Sequence, residues 1–94
     1  MTVFKSINPF NQEIVGEYPV FNEIQIDAAL NKAALMYPEW RSTPISKRAE
    51  LLIQLAAVLR NNAEIYATHI SLEMGKVYAE ARAESEKCAG ACVF

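Results

Sequence analysis

Apolar and polar residues alternate along this chain with two different periods. The change from one to the other divides it. Val3 to Ile7 and Glu13 to Tyr18 are short β-prone runs. Between them stands Asn8-Pro9-Phe10-Asn11-Gln12, which is turn chemistry, and Pro19 ends the second run. This arrangement predicts a β-hairpin, with Phe4, Ile7, Ile14, Val15 and Tyr18 as its apolar contacts. A lone hairpin is only marginally stable in water, so it has to pack on something. The period then becomes helical. Asn22 is a good N-cap, and Glu23 and Asp27 place acid near the helix start, where the dipole favours it. Ile26, Leu30, Ala33 or Ala34, and Tyr37 recur on one face. Pro38 predicts an end at about Met36, because the residue before a proline avoids the α region. Glu39 to Ser42 then reads as a connector, with Trp40 anchoring it into the core.

A second helix is expected to open at Thr43-Pro44, with Ser46 as the competing cap. Leu51, Leu52, Leu55, Val58 and Leu59 form its apolar stripe, and Lys47, Arg48, Glu50, Gln54 and Arg60 lie mostly opposite. Asn61-Asn62 disfavours continuation. A third helix follows from about Ala63, with Ile65, Tyr66, Ile70, Leu72 and Met74 as its apolar residues. Gly75 suits the left-handed position that closes it, and Lys76 sits where the carbonyl dipoles favour a cation. The last helix begins near Val77 or Tyr78. Tyr78, Ala81, Ser85, Cys88 and Cys92 make a small-residue face that permits close approach of another element. Glu80, Arg82, Glu84, Glu86 and Lys87 lie on the other side, with Arg82 and Glu86 spaced as an i,i+4 ion pair. No stop signal precedes Phe94, so the polypeptide is expected to continue. The expected class is mainly α: a hairpin arm over residues 1–20 and about four helices over 21–94. The stretch Trp40–Lys76 lies at its centre as a helical pair with an apolar seam.

Composition sharpens this picture. With 94 residues the chain is one small domain, and 52% apolar content is high for so short a chain. Some apolar faces therefore need a partner to cover them. A net charge of −2 without a basic run excludes the electrostatic footprint of a nucleic-acid binder. There is no 18-residue apolar run to span a membrane and no signal-peptide pattern at the N-terminus. Two cysteines fit a reducing compartment, so a cytoplasmic location is expected.

The candidate chemistry is thin. Cys88 and Cys92 are four apart, which is half a zinc site, and His69 is the one other candidate ligand. The same spacing is poor for a disulfide, and Glu84 and Glu86 disfavour a thiolate. His69 has no acid or nucleophile at supporting spacing. Gly75-Lys76 lacks the glycine and the Ser or Thr of a phosphate loop. Glu80, Glu84 and Glu86 read as a solvated face. No catalytic, cofactor-binding or metal-ligating residue is expected in this chain. The residues themselves leave open a stand-alone helical interaction module, and a small metal or redox protein using Cys88 and Cys92.

The order of short motifs narrows this choice. Ile7-Asn-Pro-Phe-Asn-Gln-Glu-Ile-Val-Gly-Glu-Tyr-Pro-Val20 comes first. Asp27-Ala-Ala-Leu-Asn-Lys-Ala33, the Trp40–Leu52 stretch and Leu72-Glu-Met-Gly-Lys76 follow, the last leading into Ala79-Glu-Ala-Arg-Ala-Glu-Ser-Glu-Lys-Cys-Ala89. Together they resemble the N-terminal region of NAD(P)-dependent aldehyde dehydrogenases, in particular the succinate-semialdehyde dehydrogenase branch. Each motif is weak alone; five in the correct order are specific. The resemblance implies a three-domain α/β enzyme several times longer, of which residues 21–94 would be the helical layer of an incomplete cofactor-binding domain. It implies NAD or NADP as cofactor of the full-length enzyme and none for this chain alone. The implied partners are the rest of the polypeptide and further copies in a homo-oligomer, with neither nucleic acid nor membrane. In that family a cysteine thiolate attacks the aldehyde, hydride passes to the nicotinamide, and a glutamate-activated water releases the acid. The Gly-Gln-x-Cys, Pro-Trp-Asn and glycine-rich motifs of that chemistry do not occur here, so Cys88 and Cys92 are not the nucleophile.

Overall fold

The two β-prone runs do pair. The computed structural model describes residues 2–94, and in it β1 (Val3–Ile7) and β2 (Ile14–Pro19) form an antiparallel hairpin. Phe4 lies opposite Tyr18, and their rings stack with centroids 5.4 Å apart. The register slips between Ser6, opposite Gly16, and Ile7, opposite Ile14, so Val15 is the bulged residue. The turn is held by its asparagines. The Asn8 side chain accepts from the Phe10 amide at 2.9 Å, and that of Asn11 accepts from the Glu13 amide at 3.0 Å. Both are the short-range bonds that make asparagine a turn residue.

Four helices follow: α1 (Glu23–Ser42), α2 (Ile45–Asn61), α3 (Ala63–Met74) and α4 (Tyr78–Cys92). Asn22 caps α1 as expected, within a full capping box. Its side chain accepts from the Gln25 amide and the Gln25 side chain accepts from the Asn22 amide, both at 2.9 Å. The end of α1 differs from expectation. The helix continues through Pro38 to Ser42 instead of stopping at Met36. Proline removes a single amide donor from the ladder, the one that would reach Ala34. In the last turn the Ser42 and Thr43 hydroxyls donate to the Glu39 carbonyl at 3.0 and 2.9 Å, satisfying one of the carbonyls that the helix end leaves free. Thr43 is thus the C-cap of α1 and not the N-cap of α2. Pro44 occupies that N-cap position, without a side-chain capping bond, and Ser46 lies inside the helix. Trp40 consequently belongs to a helix, not a connector, and it does not anchor a core. It is 43% exposed, with the Arg48 guanidinium of α2 5.8 Å from its ring centroid. That cation–π contact bridges the α1–α2 junction.

The buried core is made of small residues. α4 packs against both α3 and α2, with Ala56 from α2, Ala63 and Ala67 from α3, and Ala81, Ser85 and Ala89 from α4 at the seams. On α4 these fall at strict four-residue spacing, which rotates the buried face away from the one expected. Ala89 is buried, Cys92 half-buried, and Tyr78 and Cys88 exposed. α2 likewise buries Ala56, while Leu51, Leu52, Leu55 and Val58 of its expected stripe stay exposed. Overall dimensions explain this. The radius of gyration is 17.4 Å, where a compact chain of this length has about 12 Å. The thinnest extent is 15 Å, little more than the ~10–12 Å diameter of one helix. A single layer of helices has no interior in which to bury leucines. α1 makes at most slight contact with the other elements, and its apolar face lies open.

The hairpin docks where α3 ends. Gly75 adopts φ 70°, ψ 18° and donates its amide to the Ser71 carbonyl at 3.0 Å, closing α3 in the left-handed conformation expected. The Pro9 ring of the hairpin turn sits directly over it.

Candidate functional site

The segment after Gly75 and the facing side of α4 bring several ionisable side chains together. An open groove there is lined by Lys76, Glu80, Ala83, Glu84, Lys87, Cys88 and Ala91. The left-handed turn at Gly75 carries Lys76 across to α4, where its ammonium is hydrogen-bonded to the Glu84 carboxylate. That hydrogen bond, then the attraction of the Glu84 charge, raises the Lys76 pKa above its ordinary 10.5; burial opposes the shift slightly and Glu80 adds to it. A lysine whose folded-state pKa is raised adds stability that is complete below its unfolded value and disappears as pH rises through the folded value. The expected result is therefore a melting-temperature advantage over Lys76→Met that is constant across neutral and mildly alkaline pH. It shrinks only above about pH 10.5, the ordinary lysine range. An advantage already fading at about pH 8 would contradict the assignment, since lysine titrates well above that range.

Of the carboxylates expected on a solvated face, Glu84 and Glu86 are paired across elements while staying solvent-accessible. Arg60 of α2 meets Glu86 of α4 at 3.0 Å, and Arg82 of α4 lies 4.0 Å from Glu64 of α3. The local Arg82–Glu86 pair is thereby replaced by two bridges between helices. The signal in the sequence was a surplus of charges on α4 and facing charges at the end of α2 and the start of α3. Only the helix packing brings them together. All these side chains are well exposed to solvent, so each pair contributes little, on the order of 0–1 kcal/mol.

None of the remaining candidates gains a chemical partner. His69 is exposed on α3, by an open dent with Ile70, Glu73 and Met74. Cys88 and Cys92 are free thiols. Among the described residues no three His, Cys, Asp or Glu side chains gather into a metal-binding group, and no helix is long and apolar enough to cross a membrane. The arrangement can hold helices in register. Among the described residues no metal-binding cluster of His, Cys, Asp and Glu accompanies it.

Comparison with known proteins identifies the scaffold that these features serve. The aldehyde dehydrogenase family model matches residues 1–94, and the chain belongs to that family. Succinate-semialdehyde dehydrogenases are among its relatives. The NAD(P)+ succinate semialdehyde dehydrogenase of Escherichia coli is 40% identical over 87 residues, which are 93% of this chain and 19% of that protein. The mitochondrial acylating methylmalonate-semialdehyde dehydrogenase of Arabidopsis thaliana is 34% identical over 70 residues, 74% of this chain and 12% of that protein. The crystal structure of succinic semialdehyde dehydrogenase from Streptococcus pyogenes, in complex with NADP+, matches with a TM-score of 0.88 at 27% identity. That match covers 96% of this chain and 20% of that one. The chain thus spans about a fifth or less of the length of these proteins. Its mainly helical fold with a two-stranded hairpin is that of the corresponding part of an aldehyde dehydrogenase.

Proposed function

We propose that this chain is the N-terminal segment of an NAD(P)-dependent aldehyde dehydrogenase that oxidises succinate semialdehyde to succinate. In this reading residues 1–20 are a hairpin arm and residues 21–94 the helical layer of the cofactor-binding domain. The segment is structural and catalytically silent by itself. The observation that carries the reading is the 40% identity over 93% of the chain to a succinate semialdehyde dehydrogenase, of which it spans 19%. The one-layer architecture supports it. The large apolar side chains of α1 and α2 lie on open faces, as they would if the rest of the polypeptide covered them. The cysteine, asparagine and glycine-rich motifs of the chemistry would then reside in that remainder. So would the residues that select NAD or NADP, and the contacts of a homo-oligomer. Nucleic acid and membrane have no part in this reading, and the enzyme is cytoplasmic.

Two assays test it. The 94-residue chain incubated with succinate semialdehyde and either NAD+ or NADP+ is expected to give no reduced nucleotide above background. The product of the complete natural reading frame is expected to turn over succinate semialdehyde with a higher kcat/KM than malonate semialdehyde, methylmalonate semialdehyde or a simple aliphatic aldehyde. Turnover by the 94-residue chain would refute its silence. A preference for another aldehyde would refute the substrate. The same open faces also suit a stand-alone helical interaction module. A natural stop codon after Phe94, with a stable monodisperse fold in solution, would favour that alternative.

A further inference from the structure

We draw no further inference here: the strongest candidate, the pair of free thiols Cys88 and Cys92 one turn apart on α4, has no third ligand beside it among the described residues, and nothing in the structure shows what covers that face of the helix.

Discussion

Ala81→Leu is expected to destabilise the chain by about 1–3 kcal/mol, the usual result of overpacking a closed site. Ala81 is 0% exposed at the seam where α4 meets its neighbours. Its methyl group sets how closely the two backbones approach, and in a single layer of helices no second layer can yield to a larger side chain. Leucine there has to push α4 away and so weakens the burial of Ser85 and Ala89 on the same face. For a domain of this size 1 kcal/mol corresponds to about 4–8 °C in melting temperature, so the loss is easily read by thermal or urea unfolding. Ala83→Leu, two residues along on the exposed side of α4, is expected to stay within about 0.5 kcal/mol of the parent, as surface substitutions usually do. Equal effects at the two positions would mean that the small-residue seam is not what holds α4. The exposed leucines supply a contrast. Leu52 is 47% exposed, and Leu52→Ala should cost little in the 94-residue chain. In the longer enzyme proposed above, where the rest of the polypeptide would bury that side chain, the cost should rise to about 2–5 kcal/mol.

Gly75→Ala is expected to be the second most damaging change, because two separate costs meet at one residue. The backbone there has φ +70°, a left-handed conformation that costs a residue with a Cβ roughly 1–2 kcal/mol. An added Cβ would also stand 2.9 Å from Cγ of Pro9, so the hairpin turn has to shift. The two costs can be separated. Asparagine tolerates the left-handed region, so Gly75→Asn should relieve much of the first cost while keeping the second. Combining Gly75→Ala with Pro9→Ala should relieve the second and keep the first. Urea unfolding of the single and double variants reads both. A double variant no more stable than Gly75→Ala alone would show that the turn does not press on α3.

Much of this architecture was legible in the residues because the controlling interactions are local. Asn8 and Asn11 announce the hairpin turn by accepting bonds from amides two residues away. Asn22 with Gln25 starts α1, and Gly75 ends α3, each by a bond that closes within one turn. The features that differ from expectation depend on more than neighbouring residues. Pro38 predicts an end to α1, but proline withdraws only one amide from the ladder and the helix runs on to Ser42. Trp40 and the α2 leucines were expected to be buried, because apolar periodicity reports which face of a helix is apolar and not whether a partner covers it. The ion pairs followed the same pattern. Spacing suggested Arg82 with Glu86, whereas the packing of α4 on its neighbours offered Glu64 and Arg60 instead.

By itself, the sequence determined the order and type of the elements, the caps at Asn22 and Gly75, and the likeness to aldehyde dehydrogenases, since these depend on neighbours within a turn and on the succession of motifs. Only the tertiary structure decided that the core is a seam of alanines and one serine, that Lys76 reaches Glu84, and that Trp40 sits under Arg48 on an open surface. Those outcomes depend on how closely helices approach and how many layers they form. In a slab 15 Å thick, small side chains are the ones that can be enclosed, and the large apolar ones are left facing outward.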